Sequence, residues 1–254
     1  MKKLVFLVIC LVPISLFAQY GESIRTGRPG QAIGAYSVGK NVFQVQSGLT
    51  YNMVDLKSGT EINSFTHSTV LRLGIIEKLE VSGVINWQKD RISNQEQVEK
   101  FGGISNTQIG ARYNITENKG AIPAIAVQGR LLLDAQSKDY KRDKFGSKFV
   151  LATGNKVNDW LSIVTNFGIV WSGYNQDPTS LYILNFSFGL TEKVGAFAEM
   201  YGSFDDANPN FDGGISYLIN NDLQLDLSAG WDSNPNISSW FVDGGVSYRL
   251  DWRP

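Results

Sequence analysis

The stretch that most constrains this chain is VFQVQSGLTYN, residues 42 to 52. Phe43, Val45, Leu49 and Tyr51 fall on one face, with the small Ser47 among them. Gln44, Gln46, Thr50 and Asn52 fall on the other, with Gly48. Alternation with a period of two defines a strand with one apolar and one polar face. A soluble sandwich would bury the apolar face, whereas a membrane barrel would turn it toward lipid. The choice between them depends on the rest of the chain.

The pattern recurs, and no stretch has a helical period. Twelve strands are expected, over 42–53, 64–75, 79–88, 104–115, 122–134, 147–154, 161–172, 180–190, 194–203, 210–219, 223–231 and 240–252. An even number brings both termini to one side, as in bacterial outer-membrane barrels. The connections alternate in length. Tight ones such as GIIEKLEV, GLTEKVGA and LINNDLQL alternate with longer ones such as VDLKSGTEINS, KDRISNQEQVEKFGG and AQSKDYKRDKFG. Short periplasmic turns opposite long outer loops is the outer-membrane arrangement.

The face shared with Phe43 continues through every strand, for example Leu71 and Leu73, Val81 and Ile85, Leu184 and Phe186, Leu225 and Leu227, and Val246 and Tyr248. None of its positions within the expected strands is Asp, Glu, Lys or Arg, although 19% of the chain is charged. A charge facing mid-bilayer lipid costs roughly 2–4 kcal/mol, which accounts for the exclusion. A soluble core would also exclude charge, so the tryptophans decide. Trp87, Trp171, Trp231 and Trp240 lie beside the long connections, and Trp160 and Trp252 lie on the short-turn side. Two aromatic levels around an apolar band are the girdles of a membrane barrel. The expected fold is therefore all-β, a transmembrane antiparallel up-and-down barrel of about twelve strands, its outer face solvated by outer-membrane lipid.

The chain begins MKKLVFLVICLVPISLFAQ, which reads as a signal peptide over residues 1–18, cleaved after Ala18. Residues 19–41 then form a periplasmic amino-terminal segment, and 42–254 the barrel. Removing Lys2 and Lys3 from a chain of net charge −1 leaves about −3, and no basic stretch points to nucleic acid. The single cysteine, Cys10, lies in the signal, so neither disulfide nor thiolate metal site is expected. No cofactor motif or metal-ligand cluster is evident.

SIRTGRPGQAIGAYSVGKNVFQVQSGLTYN, VGAFAEMYGSF, YLINNDLQLDLSAGW and FVDGGVSYRL resemble the transporter-like outer-membrane barrels labelled MetA-pathway of phenol degradation, in particular the Bacteroidetes-type members. The resemblance covers most of the mature chain. It implies a passive outer-membrane channel of a Gram-negative bacterium, inserted by the barrel-assembly machinery, and brings no catalytic residues. The chain departs from such barrels at its end, YRLDWRP, where an aromatic terminus is usual.

The lumen-facing positions carry the candidate permeation residues: Arg72, Arg112, Arg130, Glu199, Asp226, Asp243 and Arg249. With Lys148, these cations face six acids (Glu80, Asp134, Glu199, Asp212, Asp226 and Asp243), a near balance that argues against strong ion selection. Phe197 and Tyr201 share the face of Glu199 and suit a partly apolar solute. Residues 20–40 are too rich in Gly and polar groups for a lipid-facing strand. They are either a periplasmic tail or a lumen plug whose Arg25 and Arg28 pair with inward acids, bent at Pro29 and Gly30. His67, the only histidine, lies on the lipid face with Thr69 as the nearest hydroxyl on that face. Outer-membrane lipid hydrolases place a His–Ser pair outside a barrel in an HxSNG pattern, which HSTVL lacks. Two functions remain in view. One is passive passage of small, aromatic or apolar molecules, and the other is a closed structural or surface-interaction barrel. A lipid hydrolase is a remote third.

Overall fold

The computed structural model describes residues 21–94, 97–175 and 177–253, so the expected signal sequence lies outside the described residues. Twelve strands form one closed antiparallel barrel: β1 Val42–Leu56, β2 Thr60–Ile76, β3 Leu79–Ser93, β4 Val98–Thr116, β5 Ala124–Leu132, β6 Gly146–Lys156, β7 Leu161–Trp171, β8 Thr179–Gly189, β9 Val194–Gly202, β10 Asn210–Asn220, β11 Leu223–Asp232 and β12 Ile237–Asp251. Each strand pairs with its sequence neighbours, and β1 closes the ring on β12 with Phe43 opposite Leu250 and Gly48 opposite Gly245.

The apolar face points outward. Leu49, Leu71, Ile109, Phe149, Leu227 and Trp231 are exposed, whereas Gln44, Glu80, Arg112, Asn114, Asn166 and Glu199 are buried inside. This inversion of a soluble core is the mark of a strand whose outer solvent is hydrocarbon. Rings pair around the outer band, with Tyr51 and Phe211 each 5.6 Å from Trp240 and Trp231 respectively, and Phe149 6.4 Å from Trp171. At the short-turn end, Trp160 stacks on Phe188 at 6.2 Å.

The first strands are longer than the sequence suggested. β1 to β4 run for 15, 17, 15 and 19 residues, against 9 to 11 for β5 to β11. About 9–11 tilted residues cross a bilayer, so β1 to β4 rise beyond the lipid. VDLKSGTEINS and KDRISNQEQVEKFGG, expected as loops, are mostly strand among the described residues, with a turn at residues 57–59 in the first and β3 running to Ser93 and β4 starting at Val98 in the second. Above Trp87 the outward positions of β3 become Lys89 and Arg91, both exposed. Once strands leave lipid, charge on the outer face is cheap, and the pattern ceases to look like a membrane strand. The β5–β6 connection remains a true long loop. It folds against this wall through Ser137, whose backbone N–H donates to the Ile104 carbonyl at 2.9 Å.

Candidate functional site: the occluded lumen

Residues 21–40 have no regular structure of their own, so their peptide groups need partners wherever they lie. They find them inside the barrel. Arg249 donates to the carbonyls of Gly21 and Glu22 at 2.7 and 3.0 Å, and Ile24 donates to Asn221 at 2.7 Å. Gln224 donates to the Arg28 carbonyl at 3.1 Å. The segment then crosses the lumen. Gln31 and Ala32 donate backbone N–H groups to the Glu199 carboxylate, the second at 3.2 Å. Asn166 both accepts from Ile33 N–H at 2.7 Å and donates to Ile33 C=O at 2.9 Å. Arg112 and Asn114 donate to the carbonyls of Gly34 and Ala35, each at 2.8 Å. Val38 N–H donates to Glu80 at 2.9 Å, and the chain enters β1.

Glu80 anchors the return. It accepts from Arg72 at 2.9 and 2.8 Å and from Arg112 at 2.8 Å, and it is 1% exposed. One carboxylate between two guanidiniums leaves a positive excess that two segment carbonyls help satisfy, since Arg72 also donates to Arg25 C=O at 2.8 Å.

Arg28 is the point at which the segment meets the closing seam. Its Nη2 donates to Asp226 at 2.9 Å and to Asp243, and Thr50 also donates to Asp243. The guanidinium lies flat on the paired Gly48 and Gly245, where an added Cβ would come within 2.2 and 2.4 Å of it. Gly30 follows with φ +94°, in the left-handed region that favours glycine, and a Cβ there would strike Phe197 at 2.8 Å. Arg25 departs from expectation. Its guanidinium sits 4.6 Å over the Tyr36 ring and forms no ion pair among the described residues.

Among the described residues, two cavities open in the lumen. The outer one, about 430 Å³, is lined by Thr50, Asn52, Thr66, Ser68, Gln88 and Phe241 among others. The inner one, about 420 Å³, reaches Trp160 and Gly189 at the short-turn end. Arg28 is the one residue lining both. A dent of about 650 Å³ between Leu71, Val81, Ile109 and Leu131 lies on the lipid-facing surface and is no part of this path. At the outer mouth, Tyr140 of the β5–β6 loop donates to Asp90 at 2.7 Å. Burial, then that hydrogen bond, pushes the Tyr140 phenol above its usual pKa.

Most of the inward charges are segregated, with Glu80 of β3 and Arg249 of β12 as the exceptions, which a residue count conceals. Glu199, Asp212, Asp226 and Asp243 come from β9 to β12, and Arg72, Arg112, Arg130 and Lys148 from β2, β4, β5 and β6. Near balance in number therefore does not mean a neutral lumen. His67 also needs correction. Its nearest hydroxyl partner is Ser47 on the adjacent strand, 2.8 Å from Nε2, and not Thr69. Ser47 faces Thr69 across the β1–β2 pair, a register that strand spacing within one segment does not reveal. Nucleophilic catalysis also requires a group orienting the base, and His67 has no second hydrogen-bond partner among the described residues.

Fold and lumen together define an outer-membrane β-barrel of the Gram-negative type. Within that class, the chain belongs to the family described as Putative MetA-pathway of phenol degradation, whose model matches residues 26–250. Among solved structures it is similar to an outer membrane channel from Pseudomonas putida F1, at 11% identity and TM-score 0.67, covering 88% of this chain and 99% of that one. It is also similar to the translocator domain of the autotransporter NalP from Neisseria meningitidis (10%, TM-score 0.57, 82% and 88%) and to the Ralstonia pickettii toluene transporter TbuX (10%, TM-score 0.50, 85% and 90%). At these identities the likeness speaks to the fold. No curated protein matches.

Proposed function

We propose that the protein is a passive channel for small, aromatic or apolar molecules, closed at rest by residues 21–40 acting as a gate in its lumen. The observation that carries this reading is the pair of lumen cavities separated by the segment and meeting at Arg28. A barrel built only as a shell has no need of a vestibule on each side of a barrier. The likeness of the fold to an outer membrane channel and to a toluene transporter supports passage of such solutes. Phe197, Tyr201 and Phe241 supply apolar surface beside the gate. Arg72, Arg112, Glu199, Asp226, Asp243 and Arg249 act in this scheme as the anchors that hold the gate. The protein carries out no chemistry on its solute, and Ser47–His67 is a hydrogen bond within the lipid face. Its place is the outer membrane of a Bacteroidetes-type bacterium, reached through the barrel-assembly machinery.

The density of hydrogen bonds to the segment favours the alternative of a permanently closed barrel, and one experiment separates the two. Deleting residues 20–38 from the mature protein should raise single-channel conductance in planar bilayers and solute entry into liposomes. A folded deletion variant that conducts no better than the intact protein would leave the closed barrel as the correct reading.

A further inference from the structure

Arg130 on β5 and Lys148 on β6 stand directly opposite each other in the strand register, both turned into the lumen. Like charges placed this way repel unless something neutral or negative separates them. The flanking strands offer no help, since Gly110 and Val170 are the next positions across. Arg130 donates Nε to Gln128 at 3.0 Å and Nη1 to Gln108 at 3.4 Å, both neutral acceptors. That leaves Nη2 uncommitted. Lys148 has neither a hydrogen bond nor an ion pair among the described residues. All four lumen acids of β9 to β12 lie on the other wall. Two half-buried cations thus share one gap, and the inward acid on their own wall, Glu80, is already held by Arg72 and Arg112.

We propose that Arg130 and Lys148 form a binding site for the carboxylate of a small organic anion. A carboxylate presents two acceptor oxygens and can bridge a guanidinium N–H and an ammonium at once. Leu132 on the outer side of the pair and Val150 on its short-turn side supply aliphatic surface for the body of the solute. The site lies on the outer side of the segment's contact with β5. On β5 the segment packs against Ala124 and Ala126 through Ala35, and Arg130 is further from the short-turn end. The acids of the opposite wall would repel the carboxylate toward the two cations. The inference narrows the solute class of the channel proposed above and depends on that reading for transport, though not for binding.

Calorimetric titration of the refolded mature protein in neutral detergent, at constant ionic strength and against empty micelles, tests binding without requiring conduction. Sodium benzoate is the probe, and benzyl alcohol is its uncharged match. Saturable benzoate binding is expected, about tenfold or more tighter than benzyl alcohol, because the charge-assisted hydrogen bonds are absent from the alcohol. Lys148→Gln should weaken benzoate by a similar factor and leave benzyl alcohol unchanged, while Lys148→Arg should retain it. Lys148 has no partner to lose, so its removal threatens the fold little, and heat-modifiable gel migration checks this. Equal binding of the two probes, or unchanged benzoate binding in Lys148→Gln and Arg130→Gln, overturns the site. A failed gate would show itself separately, as unchanged conductance in the 20–38 deletion.

Discussion

Reversing Arg28 to Glu attacks the gate at the position lining both cavities. The arginine side chain is 15% exposed, and those of Asp226 and Asp243 are 0% and 13% exposed. Removing one partner from a buried pair costs roughly 3–5 kcal/mol, because the remaining charge stays buried and unpaired. The substitution also adds a third carboxylate to the two already there. At about 1.4 kcal/mol per decade, the docked conformation of residues 26–31 should lose roughly two to four orders of magnitude in population. The rest of the segment keeps its anchors, since Ile33, Gly34 and Ala35 hold to Asn166, Arg112 and Asn114 without Arg28. The expected single-channel open probability is therefore well above that of the unmodified protein, with a conductance below that of the 20–38 deletion. Arg28→Lys retains a cation between the two aspartates and should stay closed. If Arg28→Glu records the same current as the unmodified protein while the deletion conducts, Arg28 is not the latch and the reasoning fails.

Three other outcomes are expected. Leu225→Lys, at an exposed outward position, should destabilise the barrel by roughly 2–4 kcal/mol in lipid by denaturant titration, whereas Asn52→Lys, lining the outer cavity, should change little; equal midpoints would refute the facing. Gly74→Ala would bring a Cβ within 1.6 Å of the Gly39 carbonyl, so cysteine labelling within residues 26–38 should become faster in a barrel that still folds. Cysteines placed singly at Ser58, Asn94 and Asp139 should react with an impermeant reagent on intact cells and one at Asn118 should not, the reverse pattern contradicting the topology.

The lipid-facing pattern could be read from the chain because lipid acts on each strand separately. Every residue such as Leu71 or Leu227 must suit hydrocarbon, whatever its neighbours are. The lumen answers to pairings between distant strands. Arg28 and Asp226 are 198 residues apart, and their contact exists only because β11, β12 and β1 are adjacent after closure. Likewise, Ser47 meets His67 through the β1–β2 register, and Arg130 meets Lys148 through that of β5–β6. A list of inward charges gave their number, and only the strand order gave their segregation. The extended ends of β1 to β4 were hidden for a different reason. Beyond Trp87 the outer face no longer excludes charge, so Lys89 and Arg91 read as a loop even though pairing continues.

The glycine pair beneath Arg28 has a consequence for the order of assembly. Gly48 is on the first strand and Gly245 on the last, so the seat they form is absent until the two ends of the sheet zip together. During insertion, a growing sheet with its ends apart offers the arginine only Asp226 and Asp243 from one side. The Arg28 turn of the amino-terminal segment, made first, is then the last part of that segment to find its seat. Its docking can serve as a record that the cylinder has been sealed.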